Sequence, residues 1–172
     1  MSRNGVVVKV PGKVNLQLAV GPLESDGYHE ITTIFQAISI FDDVTVRYGN
    51  PNTGISLNVA GPTATGVPTD EKNLAFKAAK LMVTRYGISE DISINLRKEI
   101  PVAGGMAGGS ADAAGVLVGI DSLFELGLSR DELEKVASEL GSDVPFAISG
   151  GVAIGRGDRK STRLNSSHVS ES

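Results

Sequence analysis

Hydrophobic and polar positions alternate along most of the N-terminal half of the chain, a pattern typical of half-buried β-strands. Turn residues interrupt this alternation at Pro11-Gly12 and at Asp42-Asp43, so we expect several short strands. Strands that follow one another so closely favour antiparallel pairing. The predicted strands cover residues 6–10, 15–20, 31–40, 44–46, 55–59, 92–96 and 152–154.

Helical spacing of the apolar residues replaces this alternation in three later segments. The first has one apolar face and is followed by Gly87, a typical helix stop, whereas the second is apolar nearly all round and predicts a buried helix. Ser129 and Glu132 form a capping box at the start of the third. The predicted helices are 73–86, 111–126 and 129–140. Because the strands come first and the helices later, the predicted fold class is α+β.

The composition argues against several classes of partner and site. A length of 172 residues suits one well-buried domain, and a net charge of −4 argues against a nucleic-acid partner. The chain has no cysteine and only two histidines, which excludes disulfides and argues against a thiolate or histidine metal centre. No apolar run has the length of a membrane span, so we expect a cytoplasmic protein without a membrane partner.

The last fifteen residues differ from the rest of the chain. Residues 158–172 contain five serines, two scattered aliphatic residues and no hydrophobic periodicity. Such a segment cannot bury enough apolar surface to offset its ordering entropy, so we expect disorder. The sequence therefore predicts one domain over residues 1–157 and a tail over 158–172 that looks foreign to it.

The densest cluster of glycines, in residues 101–113, directly precedes the second predicted helix. Glycines let the backbone approach a ligand closely or adopt positive φ, and Ser110 is well placed to cap the helix. Loop and helix N-terminus together suit the phosphates of a nucleotide, although a flexible turn before an ordinary helix is the simpler alternative. The glycines are Gly104, Gly105, Gly108 and Gly109. A Walker loop is excluded because Gly109 is followed by Ser-Ala-Asp and not by Lys-Ser or Lys-Thr, and the glycine spacing matches a dinucleotide fingerprint only loosely.

Two distant motifs supply charged residues that a phosphate loop could use. Lys13 and Asn15 are two residues apart where a predicted strand begins and so share a face, and Asp143 follows the third predicted helix. Taken alone, Lys13 is typical of a solvated side chain and Asp143 of a turn residue. Together with a phosphate loop they are the minimum set for phosphoryl transfer to a hydroxyl, with Asp143 accepting the proton.

In this order the motifs resemble the GHMP kinase superfamily, over about residues 8–157. The four matching segments are residues 11–16, 26–30, 101–113 and 140–145. The Asp-Gly-Tyr-His run in the second resembles the family that phosphorylates a cytidine diphosphate-linked methylerythritol in non-mevalonate isoprenoid synthesis. The resemblance implies an ATP- and Mg²⁺-dependent kinase with a small-molecule substrate. It also implies a fold like ribosomal protein S5 domain 2.

Carried over by position, the resemblance also assigns roles to single residues. Asp143 becomes the general base toward the erythritol 2-hydroxyl, Lys13 holds that carboxylate and hydroxyl, and Asn15 lines the same pocket. Tyr28 and His29 contact the cytidine end of the substrate. Residues assigned to the nucleotide are Asn73 and Lys98 near adenine, and Pro101, Ala103, Gly104, Gly105, Met106, Ala107, Gly108, Gly109 and Ser110 around the phosphates. No Mg²⁺ ligand is assigned.

The sequence departs from the family pattern at three points. Ala103 replaces a loop glycine, which is tolerated at negative φ, and Asp112 suits a helix N-terminus but is unfavourable near a triphosphate unless it points away or meets magnesium. The family's C-terminal domain has no counterpart in the chain, so we expect weak or absent turnover. A homoserine or mevalonate kinase, a non-catalytic S5-like domain and a regulatory nucleotide-binding fragment remain alternatives.

Overall fold

A computed structural model describes the backbone of residues 5–23, 29–158 and 161–165 and the side chains of residues 5–17 and 32–155. Within these residues the chain forms a six-stranded sheet and four helices, which confirms the predicted α+β class. In chain order the elements are β1 (Val6–Leu23), β2 (His29–Tyr48), β3 (Ile55–Ala60), α1 (Leu74–Tyr86), β4 (Ile92–Arg97), α2 (Gly108–Phe124), α3 (Arg130–Ser138), α4 (Val144–Ser149), β5 (Val152–Asp158) and β6 (Ser161–Asn165).

Strand β2 organises the sheet. It pairs antiparallel with β1 along one edge. Along its other edge, residues 31–36 pair antiparallel with β5 and residues 43–48 pair antiparallel with β4. Strands β3 and β4 are parallel, and helix α1 connects them. The strand order is β3-β4-β2-β5-β6, with β1 beside β2.

The first two strands are longer than the sequence predicted. The turns expected at Pro11-Gly12 and Asp42-Asp43 do not form, because both pairs of residues lie inside strands. Strand β1 absorbs the Pro-Gly pair through a register shift between Pro11 and Lys13, and a second shift lies between Asn15 and Gln17. Proline has no backbone N–H to donate to a neighbouring strand, and this is tolerated at a bulge or on an edge strand.

The main hydrophobic core lies between the sheet and helices α1 and α2, and it also includes buried residues of α3 and Val144 of α4. Helix α2 is buried along most of its length, as its apolar sequence predicted. It approaches β2 closely because glycines face the strand. A Cβ on Gly115 would lie 2.7 Å from Cγ2 of Val44, and one on Gly119 would lie 2.6 Å from Cγ2 of Val46.

Helices α1 and α3 have typical capping residues, whereas the start of α2 differs from the prediction. Asn73 caps α1 and Gly87 ends it in the left-handed conformation, and the capping box of Ser129 opens α3 as predicted. Ser110, predicted to start α2, instead lies inside it, because Ala107 adopts the left-handed conformation and the helix begins at Gly108. Helix α3 ends at Ser138, two residues before the predicted Leu140, and the short helix α4 follows.

Part of the segment predicted to be disordered is a strand. Strand β6 (Ser161–Asn165) pairs antiparallel with β5, which satisfies backbone groups that the composition alone left without partners. Residues 166–172 lie outside the described part of the chain, and the division into residues 1–157 and 158–172 stays a prediction. In the described residues no helix is both long enough and apolar enough to cross a membrane.

Candidate active site

The glycine-rich loop connects the end of β4 to the start of α2. Most of its residues are exposed, and three positions have positive φ: Ala103 at 61°, Gly105 at 70° and Ala107 at 55°. Ala103 therefore does not meet the condition of a negative φ under which this replacement was expected to be tolerated. The loop turns in the left-handed region there, where an alanine costs roughly 1–2 kcal/mol more than a glycine.

A cavity of about 430 Å³ opens against this loop. Its walls are residues 100–110, residues 66–68 before α1, residues 72–74 at the start of α1, and the side chains of Lys98 and Asp112. The volume lies in the range of small-molecule sites. The N-terminus of a seventeen-residue helix forms part of the wall, so unpaired backbone N–H groups and the positive end of the helix dipole favour an anion there.

Lys13 and Asp143 come together although they lie near opposite ends of the chain. The Nζ of Lys13 is 3.6 Å from Oδ2 of Asp143 and donates a hydrogen bond of 2.5 Å to Oδ1 of Asn15. It also lies 5.2 Å from the centre of the Phe35 ring. Asn15 in turn donates to Oγ1 of Thr33 at 2.6 Å, which fixes its amide orientation.

Helix α4 holds Asp143 in this position. Asp143 is the N-cap residue of α4, but its carboxylate makes no capping hydrogen bond and its side chain is 32% exposed. Two residues later Pro145 occupies the first turn, where its fixed φ suits a helix start. Phe146 packs against Phe35 of β2 with ring centres 5.1 Å apart. The carboxylate is therefore anchored through α4 yet remains accessible.

The backbone connects this ion pair to the glycine loop. The N–H of Lys13 donates a hydrogen bond of 3.0 Å to the carbonyl of Met106. Neither Lys13 nor Asp143 lines the cavity, but this hydrogen bond holds Lys13 against the loop that does. A group held by the loop could thus be presented to a second molecule beside Asp143.

A second lysine forms a buried cluster at the base of the cavity, which the sequence did not predict. Lys98 is 2% exposed, and its Nζ donates to the carboxylates of both Asp42 and Asp112. Asp42, expected in a turn, is fully buried in β2 and also accepts hydrogen bonds from the N–H groups of Glu99 and Ile100. Desolvation raises the pKa of Asp112 to about 7, against the opposing effect of Lys98.

One sequence signal could have revealed this cluster. Asp112 is the single charged residue in an otherwise apolar stretch, residues 111–120, and a charge in a buried helix requires a partner. The pattern does not say which lysine supplies it. Asp112 does not project freely at the helix dipole, because its Oδ2 accepts a hydrogen bond of 2.5 Å from Lys98.

Three other residues were predicted to contact the nucleotide or the substrate: Asn73, Tyr28 and His29. Asn73 lines the cavity, but its amide already donates to the carbonyl of Pro68 at 2.7 Å and accepts from the N–H of Ala75 at 2.9 Å. Tyr28 lies outside the described residues, and so does the side chain of His29. Among the residues that the structure describes, no group of three or more carboxylate or histidine side chains could hold a metal ion.

Comparison with known proteins gives consistent matches. Residues 73–151 match the family described as GHMP kinases N terminal domain. The 4-diphosphocytidyl-2-C-methyl-D-erythritol kinase of Mycobacterium avium (strain 104) is 56% identical over 162 residues, which cover 93% of this chain and 50% of that protein. The chain thus spans about half the length of the curated relatives it matches.

Solved structures show the same fold. A crystal structure of 4-(cytidine 5'-diphospho)-2C-methyl-D-erythritol kinase matches with a TM-score of 0.74 at 34% identity, covering 94% of this chain and 55% of that one. Homoserine kinase from Cytophaga hutchinsonii ATCC 33406 matches with a TM-score of 0.67 at 18% identity, covering 90% and 49%. At that identity the second match shows the fold alone.

Proposed function

Because the chain belongs to the GHMP kinase family, as its motifs predicted, we propose that it carries the nucleotide-binding domain of a kinase for 4-diphosphocytidyl-2-C-methyl-D-erythritol. The reaction is transfer of the γ-phosphoryl group of ATP to the 2-hydroxyl of that substrate. The observation that carries the proposal is the meeting of Lys13 and Asp143 beside the glycine loop. The 56% identity to a relative of that name favours this substrate over homoserine or mevalonate.

Asp143 acts as the general base in this proposal. Its carboxylate accepts the proton of the 2-hydroxyl while the hydroxyl oxygen bonds to the γ-phosphorus, and the bond from that phosphorus to the bridging oxygen of ADP breaks. Lys13 orients the carboxylate and offsets negative charge near the attacking oxygen. Its ammonium suits this task because Asn15 and the Phe35 ring hold it in a nearly buried position.

The cavity receives the nucleotide. The loop residues from Pro101 to Ser110 surround the phosphates, because small residues there leave the backbone N–H groups accessible. Asn73 and Lys98 are the proposed adenine contacts. Since the ammonium of Lys98 is engaged by two carboxylates, its aliphatic stem is the part left for such a contact. The N–H of the Asn73 side-chain amide that does not bond to Pro68 is the second proposed adenine contact.

Mg²⁺ fits this scheme as a companion of the nucleotide. The described residues offer no group of three ligands, and Mg²⁺ in kinase sites is held largely by substrate phosphates and water. Bound in that way, it would neutralise charge on the transferring phosphoryl group. Asn15, Tyr28 and His29 are the proposed substrate contacts. A cytoplasmic location and the absence of a nucleic-acid partner stay predictions from the sequence.

An acceptor panel tests the proposal. The chain is extended with the C-terminal half of the M. avium relative, and transfer of radiolabelled phosphate from ATP-Mg²⁺ is measured with the cytidine-linked methylerythritol, homoserine and mevalonate. We expect transfer to the first acceptor only. The same chain without the extension is tested in parallel, and we expect it to bind ATP with little or no turnover because positioning by half a cleft is lost.

The panel also separates the alternatives. Preferential transfer to homoserine or mevalonate would overturn the substrate assignment but keep the kinase. ATP binding without transfer to any acceptor would favour a regulatory nucleotide-binding domain. Binding of RNA without binding of ATP would favour a non-catalytic S5-like domain.

A further inference from the structure

The base of the nucleotide cavity holds more negative than positive charge. Two carboxylates, Asp42 and Asp112, share the single ammonium of Lys98, and all three side chains are at most 2% exposed. A Cβ on Gly108 would lie 3.3 Å from Nζ of Lys98, so the cluster sits directly under the first turn of α2. Any phosphate held at that helix N-terminus therefore comes close to the cluster.

The two carboxylates are not equally stabilised as anions. Asp42 accepts three hydrogen bonds, one from Lys98 and two from the backbone N–H groups of Glu99 and Ile100. Asp112 accepts one, from Lys98 through Oδ2, and its buried Oδ1 has no hydrogen-bond partner among the described residues. Asp112 is thus the member of the cluster that most readily takes a proton.

Few other charges face Asp112 from the elements around α2. Strand β2 contributes Asp42 and the end of β4 contributes Lys98, while Lys72, before α1, lines the same cavity. Helices α1, α3 and α4 present buried residues that are apolar. Strand β1 contributes Val10 and Lys13, and Lys13 is paired with Asp143. Burial accordingly dominates, and the pKa of Asp112 is raised to about 7.

We propose that binding of nucleotide phosphates in the cavity is coupled to uptake of one proton by Asp112. This inference rests on the proposed function, in which the same cavity holds the phosphates of ATP. A polyphosphate adds negative charge beside a desolvated carboxylate whose Oδ1 is unsatisfied, so the neutral acid becomes the favoured form. Nucleotide affinity consequently falls as pH rises, because the free energy needed to protonate Asp112 increases with pH.

Calorimetry of ADP binding tests the coupling. The chain is titrated with ADP at pH 6, 7 and 8, each in two buffers with different ionisation enthalpies, which gives the number of protons taken up. We expect about half a proton at pH 7, approaching one at pH 8 and little at pH 6, since Asp112 titrates near pH 7 in the free chain. The dissociation constant should then rise toward about tenfold per pH unit above pH 7.

Two variants control for the ionisation of ADP itself. In Asp112→Asn the amide keeps the shape and still accepts from Lys98, so proton uptake should drop to that of ADP alone. Asp131→Asn, which removes an exposed carboxylate from α3, should behave as the unchanged chain. As a second measurement on the unchanged chain, the carboxyl ¹³C signal of Asp112 is titrated with and without ADP. We expect its midpoint to move upward.

The outcomes separate the coupling from the proposed function. Equal proton uptake in the unchanged chain and Asp112→Asn, with ADP bound, overturns the coupling and leaves the nucleotide site standing. An Asp112 midpoint that ADP does not move overturns it as well, and this measurement decides if Asp112→Asn does not fold. Absence of ADP binding overturns both.

Discussion

Two lysine–carboxylate clusters flank the glycine loop, and they differ in exposure. Lys13 and Asp143 are 3.6 Å apart, and the side chain of Asp143 is 32% exposed. Lys98, Asp42 and Asp112 are almost wholly buried and directly hydrogen-bonded. The first cluster is loosely paired and open to a second molecule, whereas the second joins β2, the end of β4 and α2 beneath the loop.

The difference shows that burial gives similar side chains different roles. A carboxylate that is partly open to solvent can be reached by a substrate hydroxyl, and its pairing contributes about 0–1 kcal/mol to stability. A buried cluster cannot lose one member cheaply, because the remaining charges stay desolvated. We therefore expect changes at Lys13 and Asp143 to affect turnover, and changes at Lys98, Asp42 and Asp112 to affect stability and nucleotide affinity.

The largest expected effect is on turnover at the Lys13–Asp143 pair. In the extended enzyme, Asp143→Asn should lower kcat by roughly 10²–10⁴-fold, because it removes the general base and leaves the cavity unchanged. Steady-state kinetics give kcat, and calorimetry should show unaltered ADP affinity. Asp131→Asn is the matched control. A variant that kept the full rate would place the base elsewhere.

The next effect separates the two lysines by stability. Lys98→Met should lower the free energy of unfolding by about 3–5 kcal/mol, since it leaves two carboxylates buried without a cation. Lys13→Met should lower it by about 1 kcal/mol or less, because water can solvate Asp143. Urea denaturation followed by circular dichroism measures both. Equal losses in the two variants would contradict the contrast drawn between the clusters.

A pH dependence of stability distinguishes the carboxylates. The folded pKa of Asp112, about 7, lies above its ordinary value of 3.8, so the folded chain binds more protons than the unfolded one between these values. Stability should therefore fall as pH rises from about 4 to about 7, by at most about 1.4 kcal/mol per pH unit.

The comparison across variants checks the origin of this slope. Urea denaturation at half-unit pH steps should give a flatter profile for Asp112→Asn than for the unchanged chain. Asp143→Asn should keep the slope, because its carboxylate is not part of the buried cluster. An unchanged slope in Asp112→Asn would assign the pH dependence to other groups.

The smallest effect concerns the loop between the clusters. Ala103→Gly should raise the free energy of unfolding by about 1 kcal/mol, because glycine adopts a φ of 61° without the alanine penalty. Ala113→Gly, inside helix α2, should lower it instead. Thermal unfolding of the two variants measures the difference in sign. A destabilised Ala103→Gly would show that the loop has no strain at this position.

Much of the fold and the Lys13–Asp143 part of the site could be predicted from local patterns. Alternation located most strand segments, Gly87 marked the end of one helix, and the capping box of Ser129 marked the start of another. The order of Lys13, the glycine loop and Asp143 predicted a shared site, and the structure does bring these residues together. Their catalytic roles remain proposals.

The failures have a common cause in contacts that sequence spacing does not encode. Pro11-Gly12 is typical of a turn, and only pairing with β2 turns it into a bulge within a strand. Asp42 is likewise typical of a turn, yet within β2 it accepts hydrogen bonds from Lys98 and from the N–H groups of Glu99 and Ile100, which are distant in sequence. The positive φ of Ala103 depends on the path that the loop must take between β4 and α2.

The sequence by itself determined the periodicity of the elements, the helix caps and the residue types of a phosphoryl-transfer site, because these depend on neighbours along the chain. The tertiary structure decided that Lys98 meets Asp42 and Asp112, and that these three charges are buried whereas the carboxylate of Asp143 stays accessible. The physical reason is that strand register and helix packing bring distant residues together, and burial then sets whether a charge is available for chemistry or confined to the core.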